Sequence, residues 1–154
     1  MNTFSPCKPG KSKKPTVLVV EDNADQWFLI RWAMQQRFPE VDPIWMSGAN
    51  KVTKYLEVCE QSGCDLPKLI LLDLYLPQRQ QGWHLLQIIK THHLYREIPV
   101  VVLSQSSDKE DISESYALRS NSYIVKPSEY DKWLDCISSF RHYWWHAVTL
   151  PSFY

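Results

Sequence analysis

The chain has 154 residues, which is enough for one domain with a sizeable core but leaves no room for a second. Its 17 basic residues, Lys and Arg, balance 17 acidic ones, so no global charge favours nucleic acid or an anionic membrane. No apolar run approaches the roughly 20 residues that span a bilayer, and the first residues lack the apolar segment of a secretory signal. We therefore expect a cytoplasmic protein that acts through a local site.

The beginning of the chain predicts a flexible arm followed by a strand and a helix. Residues 1–15 place four lysines among Pro, Gly and Ser, a composition typical of a mobile arm. The β-branched apolar run at 16–20 predicts a buried strand. Helical spacing of apolar residues then predicts a helix over 23–38, with Asn23 as its candidate N-cap.

Strands and helices continue to alternate along the chain. The predicted strands are 16–20, 43–46, 68–73, 98–104 and 122–126. The predicted helices are 23–38, 49–61, 82–91, 109–120 and 128–147. Five strands that alternate with five helices indicate an α/β domain over 16–147, with a parallel sheet covered on both faces. Residues 148–154 are left as a C-terminal tail.

Polar side chains stand where four of the predicted strands end. They are Glu21, Asp22, Asp73, Ser104 and Lys126. Ligands of open parallel sheets bind beyond the carboxyl ends of the strands, so we expect these side chains to converge on one edge. Asp73 lies inside the apolar run LILLDLYLP, where an ionised carboxylate costs several kcal/mol unless it is paired, exposed at a strand end or bound to a metal.

This set of side chains predicts phosphoryl chemistry. Three neighbouring carboxylates repel one another unless a cation is present, and an all-oxygen site suits Mg²⁺. With the cluster neutralised, Asp73 can act as a nucleophile toward a phosphoryl group and form an acyl phosphate. The Lys126 ammonium and the Ser104 hydroxyl can each contact a phosphoryl oxygen.

Four motifs in this order resemble the receiver domain of two-component response regulators. They are VVEDN, LILLDLYLP with the later Gly82, VVVLS and YIVKP, and the resemblance covers roughly residues 16–141. It implies a flavodoxin-like (CheY-like), doubly wound five-stranded parallel sheet of order 2-1-3-4-5 with five helices. It also implies a stand-alone, cytoplasmic response regulator that is not an enzyme beyond self-catalysed phosphoryl transfer and autodephosphorylation.

The resemblance also implies residue roles. Asp73 is the phosphoacceptor, with Lys126 and Ser104 beside it, and a histidine kinase is the phosphoryl donor. The implied Mg²⁺ ligands are Asp22, Asp73, the backbone carbonyl of Tyr75 and, through water, Glu21. Ser104 and Tyr123 are the implied switch pair. The Lys126–Pro127 peptide bond is predicted to be cis, which would direct Lys126 into the site.

The end of the chain is unusually aromatic. Trp133, Ile137, Phe140, Trp144 and Val148 recur at steps of three or four residues, and further aromatic residues follow at 143, 145, 153 and 154. We expect that so many aromatic residues cannot all face one small domain, and that the last helix and the tail form a homodimer or dock a partner. Packing onto the domain is the alternative. This ending resembles the small response regulators of cyanobacterial phytochromes, which implies a phytochrome kinase.

Two other functions are weighed against this one. A phosphohydrolase with an aspartate nucleophile would need a general acid two residues beyond Asp73, and that position holds Tyr75. An unphosphorylated receiver-like interaction module would be expected to have lost an acid of the cluster or the lysine, yet all are present. We expect contacts with proteins only, with no nucleic acid and no membrane.

Overall fold

The computed structural model describes residues 14–152, which form a five-stranded parallel sheet between helices. The strand order is β2-β1-β3-β4-β5, which confirms the order implied by the resemblance. The strands are β1 (Thr16–Val20), β2 (Asp42–Met46), β3 (Leu69–Leu72), β4 (Val100–Ser104) and β5 (Ser122–Val125). Most of the predicted arm, and the last two residues of the predicted tail, lie outside the described residues.

Within residues 14–152, five α-helices connect and cover these strands. They are α1 (Ala24–Arg37), α2 (Ala49–Ser62), α3 (Arg79–Thr91), α4 (Lys109–Ala117) and α5 (Tyr130–Arg141). A 3₁₀ turn at Tyr95–Glu97 precedes β4, and a π-helix at His142–Ala147 extends α5. None of the described helices is both long enough and apolar enough to cross a membrane.

The sheet separates two apolar clusters. Because successive side chains of a strand point to opposite faces, Leu18 and Val20 of β1 enter one cluster while Val17 and Val19 enter the other. The first cluster packs against α2 and α3, and the second packs against α1 and α5. The central strands are therefore buried on both faces, as their continuous apolar runs predict.

Two helix boundaries, the start of α3 and the end of α4, lie three residues from their predicted positions. Helix α3 begins at Arg79, three residues before the predicted start, and the Gln78 N–H donates to Gln81 Oε1 at 3.1 Å. The polar first turn of α3 carries no apolar periodicity, so periodicity does not predict it. Helix α4 ends at Ala117 because Arg119 adopts a φ of 72°, in the left-handed region that terminates helices.

The aromatic end of the chain packs largely onto the domain. Trp133, Phe140 and Trp144 are buried in the cluster shared with α1. The Phe38 ring lies at the end of α1, with its centroid 6.1 Å from that of Phe140 and 5.5 Å from that of Trp145. The alternative of packing onto the domain therefore holds for these buried three, because α1 supplies an aromatic surface for them, whereas Tyr143 is exposed.

Candidate functional site

The main chain fixes the predicted site residues at one edge of the sheet. The N–H groups of Glu21, Asp73 and Lys126 each donate to a carbonyl of the neighbouring strand, at 3.0, 2.9 and 2.7 Å respectively. Each residue follows directly after its strand, so the ladder of hydrogen bonds continues one step beyond the strand ends. The predicted convergence of these residues is thus present in the structure, and rigid strands rather than loops hold it.

Gly82 holds the loop after β3 close to helix α3. A Cβ atom at this position would lie 2.0 Å from the carbonyl oxygen of Leu74, far inside van der Waals contact. Only glycine permits this approach of two backbone segments. The contact positions Leu74 and therefore the neighbouring residues Asp73 and Tyr75.

A buried ion cluster forms the floor of the site. The Lys126 Nζ atom lies 2.5 Å from Glu21 Oε2 and 3.2 Å from Asp73 Oδ2. Glu21 is 2% exposed, and Asp73 and Lys126 are each 8% exposed. Asp22 is exposed at the rim, so the cluster opens to solvent on the side where Asp22 lies.

The carboxylates fit a divalent cation. One oxygen of each of Glu21, Asp22 and Asp73 lies within 4.8 Å of the other two, close enough for one ion to contact all three. Burial and the negative charge of Asp73 raise the pKa of Glu21 to about 7, although Lys126 opposes this shift. The single ammonium therefore does not balance the acids, and oxygen donors of this kind suit Mg²⁺ or a similar hard ion.

The predicted switch residues are linked through Ser106. The Ser106 N–H donates to the Ser104 Oγ at 3.2 Å, and the Tyr123 hydroxyl donates to the Ser106 carbonyl at 2.8 Å. Ser104 is fully buried at the end of β4. Its hydroxyl is therefore connected both to the site and to the edge strand β5.

The predicted cis bond at Lys126–Pro127 is wrong. Among the described residues the cis peptide bond is Leu76–Pro77, so the Lys126–Pro127 bond is trans. Trans is the more stable form of most bonds before proline, and the Lys126 ammonium reaches Glu21 and Asp73 in this form.

Sequence reasoning missed Gln26 at the site, although it singled out other residues that lie around it. The cluster forms part of a pocket of about 460 Å³ whose lining also includes Asn23, Gln26, Tyr75 and Gln105. Asn23 caps helix α1 as predicted, since its side chain accepts from the Gln26 N–H at 3.1 Å. Neutral amides after strand ends carry no charge pattern, so only their position next to the acids could have identified them.

A third buried carboxylate lies beside the site, and the sequence did not single it out. Asp111 on α4 is bound to Tyr75, Arg79 and Ser106, and we call these four residues the Asp111 cluster. Burial opposes ionisation of Asp111, but hydrogen bonds from Ser106, Tyr75 and Arg79 outweigh it and lower its pKa. The hydrogen bond to Asp111 in turn raises the pKa of the Tyr75 hydroxyl.

Comparison with known proteins agrees with this geometry. The model of the response regulator receiver domain family matches residues 17–138. The chain therefore belongs to the response regulator receiver domain family.

The chain is similar to proteins of this family over nearly their whole length. It is 33% identical over 138 residues to the Probable methanogenesis regulatory protein FilR2 of Methanothrix harundinacea, covering 88% of each chain. It is 29% identical to the Response regulator Rcp1 of Synechocystis, covering 88% of this chain and 92% of Rcp1. The structure of the phosphorylated cyanobacterial phytochrome response regulator RcpA superposes with a TM-score of 0.80 at 32% identity, covering 90% of this chain and 99% of RcpA.

Proposed function

We propose that this chain is a stand-alone, cytoplasmic response regulator that accepts a phosphoryl group on Asp73 and then changes its contacts with other proteins. The observation that carries the proposal is the buried Asp73 carboxylate, paired with Lys126 and adjoining Glu21 and Asp22 at the open end of the sheet. We propose the domain boundaries 16–147, with an arm before and a tail after them.

In the proposed reaction an Asp73 oxygen forms a bond to phosphorus while the bond from phosphorus to the donor breaks. The leaving group, a histidine imidazole of the kinase or acetate of a small donor, departs with the electron pair. Lys126 lies 3.2 Å from Asp73 Oδ2, which supports a role in pairing with a phosphoryl oxygen. The Ser104 hydroxyl at the end of β4 is the proposed donor to another phosphoryl oxygen.

The proposed metal is Mg²⁺, held by Asp22, Asp73, the carbonyl of Tyr75 and, through water, Glu21. When bound, the ion would neutralise the carboxylates and the charge of the incoming phosphoryl group. The oxygen spacing of the three acids supports this ligand set. A structure of Rcp1 is described as its Mn²⁺-bound form, which supports a divalent ion in a related protein.

The proposed partners are a histidine kinase and a second copy of the chain. The similarity to the phytochrome response regulator RcpA supports a phytochrome kinase as the donor. Association through the last helix is supported by Tyr143, which is 54% exposed although its neighbour Trp144 is buried. Light scattering should give a dimer mass for the chain and a monomer mass for Tyr143→Glu; a monomer mass for both would contradict this contact.

Intact-mass spectrometry after incubation with acetyl phosphate tests the acceptor. We expect a gain of about 80 Da, for one HPO₃ group, in the presence of Mg²⁺ and none after chelation. Asp73→Asn should fold normally and show no gain, because the amide is not a nucleophile. Asp22→Ala should raise the Mg²⁺ concentration needed for half-maximal uptake, because one carboxylate ligand is removed.

Two results would contradict the proposal. Retained labelling of Asp73→Asn would show that another residue accepts the group. No uptake by the unaltered chain, either from acetyl phosphate or from a phosphorylated kinase, would favour the alternative of an unphosphorylated interaction module.

A further inference from the structure

Helix α4 has a polar inner face. Its buried side chains are Asp111 and Ser115, one turn apart, and no residue of α4 is a buried member of either apolar cluster. Helices of globular proteins are usually held by an apolar stripe. Helix α4 is instead held largely by hydrogen bonds and charges, which makes its position depend on a few polar contacts.

The buried Asp111 carboxylate accepts hydrogen bonds from three other segments. Its Oδ1 atom accepts from Arg79 Nη1 on α3 at 2.8 Å. Its Oδ2 atom accepts from the Tyr75 hydroxyl at 2.7 Å and from the Ser106 Oγ at 2.6 Å. Asp111 therefore ties the loop after β3 and the loop after β4 to helix α4.

Both loops connect directly to the phosphoacceptor site. The Tyr75 N–H donates to Asp73 Oδ1 at 3.2 Å. The Ser106 N–H donates to the Ser104 Oγ at 3.2 Å. A continuous path of bonded residues thus leads from the Asp73 carboxylate through Asp111 to the Ser104 hydroxyl.

We propose that Asp111 is a positioning residue that holds Tyr75 and Ser106 in the resting arrangement and thereby opposes phosphoryl uptake at Asp73. This inference rests on the proposed function. In the resting arrangement the Ser104 hydroxyl accepts a bond from Ser106. When it turns toward a phosphoryl oxygen, Ser106 loses that bond and the loop carrying it must move.

The Asp111 cluster is intact while Asp73 is unmodified, and this determines whether weakening the cluster speeds or slows phosphoryl uptake. The hydrogen bonds of Asp111 are complete with Asp73 unmodified, so any rearrangement of Ser106 has to break or lengthen at least one of them. Weakening the cluster lowers the cost of that rearrangement. Phosphoryl uptake should therefore become faster, and α4 should become more mobile.

Two variants and a matched control test the role of Asp111. Asp111→Asn removes the charge that binds Arg79, and Tyr75→Phe removes one hydroxyl from a side chain that is 38% exposed. Glu114→Gln makes the same charge change three residues further along α4, on an exposed side chain. Uptake from acetyl phosphate is followed by intact mass, and amide hydrogen exchange is followed over residues 105–117.

We expect about fivefold faster uptake in Asp111→Asn and Tyr75→Phe, the factor that one lost hydrogen bond supplies. Exchange over 105–117 should also be faster in both variants, whereas Glu114→Gln should match the unaltered chain in both measurements. If Asp111→Asn does not fold, the uptake and exchange rates of Tyr75→Phe alone test the positioning role.

Failure of this inference can be told apart from failure of the proposed function. Uptake by the unaltered chain, with an unchanged rate in Tyr75→Phe and Asp111→Asn, overturns the positioning role alone. Unchanged exchange over 105–117 in both variants overturns it as well, whether or not Asp73 is phosphorylated. No uptake by the unaltered chain contradicts the proposed function and removes the positioning role with it.

Discussion

Helices α5 and α4 are attached to the same sheet in opposite ways. Helix α5 buries Trp133, Ile137 and Phe140 against α1, so its position is fixed by apolar surface. Helix α4 buries Asp111 and Ser115, so its position depends on hydrogen bonds that can exchange partners. Apolar packing favours one arrangement, whereas a polar contact surface allows a second at small cost. We therefore expect the structural response of this protein to occur on the α4 side.

The largest loss of stability should come from a substitution in the apolar contact between α5 and α1. Phe140→Ala should lower the free energy of unfolding by about 3–5 kcal/mol, because it removes a buried ring and leaves a cavity beside Phe38. Urea denaturation measures this loss. The control Phe28→Ala, at a 59% exposed position on α1, should cost less than about 0.5 kcal/mol. A loss below about 1 kcal/mol for Phe140→Ala would contradict the packing of the chain end onto α1.

The second-largest loss of stability should come from helix α3, which contacts both the site and α4. Gly82→Ala should cost about 2–3 kcal/mol and slow phosphoryl uptake, because the new methyl group would displace Leu74 and the loop beside Asp73. Gly48→Ala is the matched control, since nothing lies within 4 Å of the corresponding Cβ position. It should cost less than about 1 kcal/mol. Equal losses for the two variants would show that the close approach at Gly82 is unimportant.

A substitution at the polar contacts of α4 should cost less stability than one in the apolar contact of α5. Asp111→Asn should lower the free energy of unfolding by about 1–2 kcal/mol, because Arg79 keeps access to water when its partner loses charge. Denaturation under the conditions used for Phe140→Ala gives the comparison. A loss larger than that of Phe140→Ala would reverse the contrast between the two helices.

The smallest effect should come from a charged pair on the α5 side. The Arg141 guanidinium binds both carboxylate oxygens of Glu40, with the Nε atom 3.0 Å from each, and the two side chains are about one third exposed. A double-mutant cycle with Glu40→Gln and Arg141→Gln should give a coupling free energy of about 0.5–1 kcal/mol. The coupling should fall at high salt. A larger, salt-independent value would mean that this pair, and not only apolar packing, fixes α5.

The sequence was most informative where one residue pattern has one structural meaning. The apolar runs of β1, β3 and β4 predict buried strands, and the polar residues after them predict a shared edge, since parallel strands end on the same side. It was less informative at α3, whose polar first turn lacks periodicity. It was wrong about Lys126–Pro127, where both isomers are compatible with the chain and tertiary contacts decide.

The alternation of strands and helices, and the position of Asp73 and Lys126 at strand ends, follow from local patterns in the sequence. The surfaces that the remaining side chains contact follow from the packing of the folded chain. Asp111 binds Tyr75 and Arg79, 36 and 32 residues away along the chain, and Arg141 binds Glu40, 101 residues away. Local patterns reflect the period of a strand or helix, whereas these contacts depend on how whole elements pack, so only the folded chain brings them together.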